Sequence, residues 1–436
     1  MIDSWDMTVL VPHERMLVMI RMPHHEEHEG VSFPTSPFFL RVLRGETLLA
    51  CFGPGYTGIG RSRWIWAALT LAVLPAVKAA DWPGFHRTPD LAGYSDERFP
   101  SSLARRWVFK TGDAVRSSPT VVGGVVYVGS DDGQVYALGS KTGSVVWTYK
   151  AGSPVESSPL VSRGVVYVGT EAGDLLALDA TNGQCRWTYK TEGKIAGSPN
   201  LVIADKRTLV VVGSYDTRLH AVDAATGTGV WTAASGGYIN GTPAVSGGRV
   251  VFGGCDGQLQ VIGASSGDVL NAVAVGSYVP GSPACDAERA VVGQSESELM
   301  AIGLADCNVL WHVGDKGAPV FSTPALTAQR VIIGARDMRV HCFDFKDGSP
   351  IWQFATRGEV DSSPIVVKDT VVFGSDDGCV YAVTLAKGSQ VWSYEIGQAV
   401  KSSPAFSDGL LVIGADDGGV YAFGAPDKAG AKESKR

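Results

Sequence analysis

The sequence predicts an all-β fold, an eight-bladed β-propeller built from four-stranded antiparallel blades. Three observations carry that expectation. First, a Ser-Ser-Pro phrase or a close variant recurs with prolines at Pro119, Pro159, Pro199, Pro243, Pro283, Pro324, Pro364 and Pro404, a nearly constant step whose one clear lengthening falls between Pro199 and Pro243. A fixed step of this length, with several strands per unit, is the signature of propeller blades. Second, one unvarying interval separates a strand-ending glycine from a tryptophan in Gly129 to Trp147, Gly169 to Trp187, Gly213 to Trp231, Gly293 to Trp311, Gly334 to Trp352 and Gly374 to Trp392. The same interval leads from Gly253 to Asn271, where the tryptophan is lost. Third, the last unit ends without its tryptophan, whereas Trp107 stands as far ahead of Pro119 as Trp147 stands ahead of Pro159. The strand around Trp107 therefore completes the last blade, closing the ring and removing an exposed sheet edge.

Taken in chain order, residues 1–60 show no period and a mixed charge, and precede what reads as the first segment of a secreted protein. We expect a mis-called start, with the true one just before Arg61. Residues 61–79 read as a secretory signal peptide: Arg61 and Arg63, an apolar run from Trp64 to Val77, then Lys78-Ala79. That pattern matches a basic start, a short apolar centre and a small-residue end, and the run is short for a membrane span. Residues 80–103 form a lead-in, 104–424 the propeller, and 425–436 a polar tail expected to be disordered.

The first unit shows how one period becomes a blade. Ser117-Ser118-Pro119-Thr120-Val121-Val122 starts the inner strand, and Gly123-Gly124 turns it. Val125–Gly129 is a β-branched and aromatic run. Asp131-Asp132-Gly133 supplies a hairpin turn, since glycine accepts positive φ without cost. The run 134–138 is the third strand, Lys141-Thr142-Gly143 turns again, and Val145–Tyr149 is the fourth. Nearly every strand position is apolar, as expected where neighbouring blades cover both faces. The tryptophans Trp107, Trp147, Trp187, Trp231, Trp311, Trp352 and Trp392 are expected to be the docking residues between blades, each indole burying roughly 150–250 Å².

At these residues the chain resembles the quinoprotein-like family of eight-bladed propellers, whose docking motif is Ala-x-Asp-x-x-Thr-Gly-x-x-x-Trp. Ala221-Val222-Asp223-Ala224-Ala225-Thr226-Gly227 leading to Trp231 fits it fully, and Ala177-Leu178-Asp179-Ala180-Thr181-Asn182-Gly183 leading to Trp187 fits with Asn182 for Thr. The short loops are most similar to the BamB-like envelope proteins, and Asp81–Arg87 resembles the lead-in of secreted PQQ-like repeat proteins. The chain departs from the BamB-like pattern at the lipidation signal, because Arg41, Arg44 and Glu46 break the apolar run before Cys51.

No catalytic, cofactor-binding or metal-binding residue is assigned, and the expected cofactor set is none. His220 and His341 occupy the repeat position that holds Tyr136, Tyr381 and Tyr421, three blades apart, and read as packed aromatic substitutes. The recurring serines belong to the scaffold, and no unique Ser-His-acid set is legible. The seven cysteines are scattered. They read as small buried hydrophobes, with Cys285–Cys307 the best pair if a disulfide forms. The quinoprotein dehydrogenases build their cofactor site from long loops, an adjacent cysteine pair and a calcium-binding acidic set. This chain has no Cys-Cys, and one grown loop, Ala204–Arg207.

Information should sit where the repeats disagree. The residue before each Ser-Ser-Pro pair reads Arg116, Glu156, Ala196, Asn240, Pro280, Phe321, Asp361 and Lys401 around the ring. One arc is charged and the other neutral. Arg116, Glu156, Asp361, Lys401, Phe321 and Asn240 form the candidate partner-binding rim. The net charge of −7 shows no basic footprint for nucleic acid. The leading expectation is a non-enzymatic, monomeric, periplasmic or secreted scaffold that binds protein partners in the cell envelope, with no transmembrane segment in the mature chain. A quinoprotein oxidoreductase and an extracytoplasmic sensor or ligand-binding propeller are the alternatives.

Overall fold

Eight four-stranded antiparallel units follow one another along the chain, and in the first six the strands pair in sequence order. This is a computed structural model describing residues 80–296, 298–314 and 319–426, together with the backbone of four short upstream strands. Those four pair as two hairpins, Trp5–Leu10 with Leu17–Met22 and Phe38–Arg41 with Thr47–Ala50, in a separate unit, Met1–Leu71. The signal-peptide assignment at 61–79, Cys51 and residues 427–436 of the tail lie outside the described residues. Among the described residues no helix is long and apolar enough to cross a membrane.

Blade one shows the plan: Thr120–Val122, Val125–Gly129, Gln134–Gly139 and Val145–Lys150, from hub to rim. Blade eight takes three strands from the C-terminal end, Ala405–Ser407, Leu410–Gly414 and Gly419–Gly424. Its fourth, Ala104–Lys110, comes from the front of the chain, with Trp107 opposite Ala422. The ring is closed as the sequence predicts.

The expectation of apolar strands on both faces holds for the inner three strands of a blade and fails for the fourth. Gln134–Gly139 is buried at its four central positions, whereas Val145–Lys150 alternates, with Val145 and Val146 half exposed. The outermost strand faces solvent along its rim, so only the side of it that meets the next blade needs apolar cover. Each strand-ending glycine is fixed by the following blade: a Cβ on Gly129 would lie 2.4 Å from Val155, and one on Gly169 2.2 Å from Ile195.

The tryptophans join consecutive blades by two contacts. The Trp147 indole N–H donates to the Ala180 carbonyl at 2.9 Å, Trp187 to Ala224 at 3.2 Å and Trp231 to Ala264 at 3.0 Å. Trp107, Trp311 and Trp352 donate likewise to Ser140, Phe345 and Leu385, and Trp392 reaches Leu103. The indole also lies flat against the glycine of the next blade's outer turn, so a Cβ on Gly183 would meet Trp147 at 2.7 Å. In blade four Asn271 keeps a weaker form of the bond, its amide reaching Ala305 at 3.4 Å. The glycine it would face is replaced by Cys307, which holds φ at 55°.

The second hydroxyl of each Ser-Ser-Pro phrase accepts an N–H from the blade before it. Ser118 N–H donates to Ser158 Oγ, Ser158 to Ser198, Ser198 to Thr242, Thr242 to Ser282, Ser282 to Thr323, Thr323 to Ser363, Ser363 to Ser403, and Ser403 to Ser118. Eight inner strands are thus laced into an unbroken circle at one mouth of the hub. The opposite mouth, at the turns that follow the inner strands, is crossed by the lead-in. Its Tyr94–Ser95 pairs parallel with Ile365–Val367 as a fifth strand of blade seven.

Candidate functional site

The mouth bounded by the hydroxyl circle is where the repeats differ in charge. Three residues per blade surround it: the one two positions before the rim residue, the rim residue itself, and the first residue after the inner hairpin's Gly-Ser or equivalent step. The first and third are tied together, since Asp131 N–H donates to Ala114 O, Tyr215 to Lys194, Cys255 to Tyr238, Ser295 to Tyr278, Arg336 to Pro319 and Asp376 to Glu359. Sequence reading singled out only the middle position.

From blade six through blade two the mouth is ionised. Arg116 sits between three blades, 2.9 Å from Asp131, 3.5 Å from Glu156 and 3.6 Å from Asp416. Lys194 bonds Glu156 at 2.7 Å and also pairs with Glu171. Arg336 holds both oxygens of Asp361, at 2.9 and 2.7 Å, and lies 3.2 Å from Glu359. Lys401 lies 3.7 Å from Asp376. Seven carboxylates meet four cations, an excess of three negative charges. Burial pushes the Asp131 carboxyl up to about 6; Arg116 opposes the shift and Glu156, Asp113 and Glu171 add to it. Burial also raises Asp376, against Lys401. For Arg116 burial pulls downward, and the carboxylates of Asp131, Asp416 and Glu156 outweigh it, so the guanidinium is held above its ordinary value.

The remaining arc is aromatic. Tyr215 and Tyr238 stack with ring centres 4.9 Å apart, and Tyr278 meets Phe321 edge-on at 6.4 Å. Tyr238 and Tyr278 are 53% and 40% exposed, a large apolar area left in water at one place. The arcs meet at Arg336, whose guanidinium lies 3.6 Å from the centre of the Phe321 ring, a cation–π contact. Of the predicted rim, Arg116, Glu156, Asp361 and Lys401 fall in the ionised arc. Phe321 falls in the aromatic one, and Asn240 stands beside Cys255 at 3.5 Å. Lys194, Arg336, Asp131, Asp376, Tyr215, Tyr238 and Tyr278 were missed, although they occupy two further columns of the same repeat.

Glu359, Asp361 and Asp376 bring one oxygen each to within 4.8 Å of one another. Arg336 engages Asp361 and Glu359, and Lys401 lies 3.7 Å from Asp376 Oδ2, while the buried Asp376 Oδ1 has no hydrogen-bond partner. His220 and His341 sit as packed substitutes: His220 Nε2 meets Asp216 at 3.0 Å and His341 Nε2 meets Asp337 at 2.9 Å. The tyrosines at that position bond the equivalent turn aspartates, Tyr136 to Asp132 at 2.6 Å and Tyr381 to Asp377 at 2.8 Å. Cys285, Cys307, Cys342 and Cys379 are buried and free; Cys185 is exposed, against expectation, because it begins an outer strand.

Closed ring, docking tryptophans and short loops together define a PQQ-like repeat propeller. The chain belongs to the family described as outer membrane protein assembly factor BamB, which matches residues 101–214, 197–319 and 313–427. No curated protein matches the sequence. Among solved structures it is similar to BamB from Moraxella catarrhalis, at 19% identity and a TM-score of 0.63, covering 74% of this chain and 100% of that one. It is also similar to the quinohemoprotein alcohol dehydrogenase from Comamonas testosteroni, at 15% identity and a TM-score of 0.68, covering 79% and 80%. The computationally designed Ika8 protein matches at 18% identity and a TM-score of 0.64, covering 72% and 97%. At these identities the likeness is one of fold.

Proposed function

We propose that this chain is a non-enzymatic, periplasmic or secreted propeller that binds protein partners in the cell envelope through the mouth bounded by the hydroxyl circle. Outer-membrane protein assembly, the role in the family's description, is its most specific form. The observation that supports the reading is the division of that mouth into an ionised arc around Arg116, Asp361 and Lys401 and an aromatic arc around Tyr238, Tyr278 and Phe321. Exposed tyrosines beside fixed charges give a partner both apolar area and orientation. Short loops favour a scaffold over a catalyst, since they offer little with which to enclose a cofactor. Export by residues 61–79, with translation starting just before Arg61, belongs to the same proposal, and N-terminal sequencing of the native protein tests it.

The test is crosslinking in native envelopes followed by mass spectrometry, comparing the native chain with Arg116→Glu/Lys401→Glu. Loss of a crosslinked protein in the variant is expected. An unchanged partner set removes the mouth as the docking site, and dye-linked alcohol oxidation with added PQQ and calcium would replace the scaffold by an oxidoreductase.

A further inference from the structure

The lead-in crosses the other mouth as a strap that visits the blades in order. Trp82 exchanges two backbone bonds with Val121 of blade one, at 2.8 and 2.9 Å. Val161 N–H of blade two donates to Pro83 O at 2.7 Å. Val245 of blade four donates to Pro89 O, Cys285 of blade five to Asp90 O, Leu326 of blade six to Ala92 O and Val366 of blade seven to Gly93 O, all at 2.7–2.8 Å. In blade three the Asn200 side-chain amide takes the same role toward Pro89 O at 2.7 Å. In blade eight Phe406 stacks on Phe99 at 5.7 Å.

These six backbone donors hold one register, the second residue after the repeat proline, and Lys368 of blade seven adds a seventh bond, to Ser95 O at 2.7 Å. They are the N–H groups on the inner edge of each blade, which no neighbouring strand pairs. An edge of this kind is a template for an added chain, and reading backbone through an unpaired edge is the β-augmentation mode of peptide recognition. Here the edges of six blades converge on one short segment.

The segment is held like a ligand as well as by its backbone. Trp82 and Leu91 are 1% exposed, and His86 is buried with its Nδ1–H donating to Leu91 O at 3.0 Å. His86, Arg87 and Leu91 adopt positive φ of 54°, 70° and 59°, a conformation non-glycine residues avoid, so the strap is bent to the curve of the hub. A cleft of about 870 Å³ is lined by Asp90, Ala92 and Tyr94 of the strap together with residues of blades five to seven, among them Thr327, Arg330 and Leu385.

We infer that this mouth is a backbone-reading peptide site and that the chain's own residues 81–99 are its resident ligand. The site takes a curved, extended polypeptide with a large aromatic residue seated against blade one and an aliphatic residue seated against blades four and five. While the strap is in place, the mouth inside the hydroxyl circle is the one left to outside partners.

The test keeps the whole chain. A protease site is placed at Ser101-Ser102, both exposed, and the purified protein is nicked there. A labelled synthetic peptide of residues 80–99 is then added just below the melting temperature and followed by anisotropy and gel filtration. Expected is uptake of one labelled peptide per ring, with release of the resident strap, and binding weakened more than about tenfold for the peptide carrying Trp82→Ala. Absence of uptake, equal uptake of the Trp82→Ala peptide, or collapse of the ring on nicking would each overturn the assignment, the last because the strap would then be an inseparable part of the core. None of these outcomes touches partner binding at the opposite mouth.

Discussion

Gly183→Ala isolates the contact that joins one blade to the next. The new Cβ would stand 2.7 Å from Trp147 Cε3 and 2.8 Å from Cδ2, where carbon atoms prefer about 3.5–4.0 Å. The indole cannot slide away freely, because its N–H is bonded to Ala180 O at 2.9 Å. The glycine also sits at φ 74°, which costs a residue bearing Cβ about 1 kcal/mol or more. Overpacking adds about 1–3 kcal/mol, so the expected loss is about 2–4 kcal/mol, or roughly 3–6 °C in melting temperature for a domain of this size. The partner experiment is at blade four, where Asn271 faces Cys307. Asn271→Trp alone should give no gain, Cys307→Gly alone little change, and the pair together a gain, with a coupling of about 2 kcal/mol in urea unfolding. A Gly183→Ala protein as stable as the native chain, or a coupling below about 0.5 kcal/mol, would refute the claim that indole and glycine are chosen together.

His86 is buried and its pKa is lowered by that burial to about 4. The unfolded chain therefore binds a proton that the folded one refuses, and stability present above about pH 6.5 is lost as pH falls toward 4, by about 3 kcal/mol in all; His86→Gln should flatten the acid limb of a pH–melting profile. Ser158→Ala removes the acceptor of Ser118 N–H and is expected to cost about 1–3 kcal/mol by chemical denaturation, whereas Ser158→Thr should be near neutral, since Thr242 and Thr323 fill the same place. Hydrogen exchange should find the outer strand of blade four, Val269–Ala274, less protected than Gln390–Glu395 of blade seven, because Asn271 lacks the indole of Trp392.

What repeats was legible, and what occurs once was not. Pro119 and its seven counterparts, the strand-ending glycines and the tryptophans recur at constant spacing, so blade number, strand order and closure through Trp107 could be read directly. The loss of the tryptophan at Asn271 was visible as a departure from the repeat, but its link to Cys307 was not, because the tryptophan of one blade meets the turn glycine of the next. The mouth was half legible: Arg116, Glu156, Asp361 and Lys401 stood out in one column, and Lys194, Arg336 and the tyrosines lay in two columns left unread. The strap had no signal of this kind. Asp81–Phe99 occurs a single time, and it is recognised by inner-strand N–H groups whose side chains, such as Val121 and Val366, carry no mark of that role.

Synthesis runs from one end of a chain to the other, and this architecture places residues 82–110 against strands made far later. The strand Ala104–Lys110 has no sheet to join until Gly419–Gly424 has been made, and the segment around Trp82–Gly93 cannot seat fully until the seventh inner strand exists. Contacts spanning so much of the polypeptide are slow to form. Residues 82–110 therefore stay incompletely paired until the last blades are made, which makes them the natural point of attack for proteases and the last part of the propeller to come to rest.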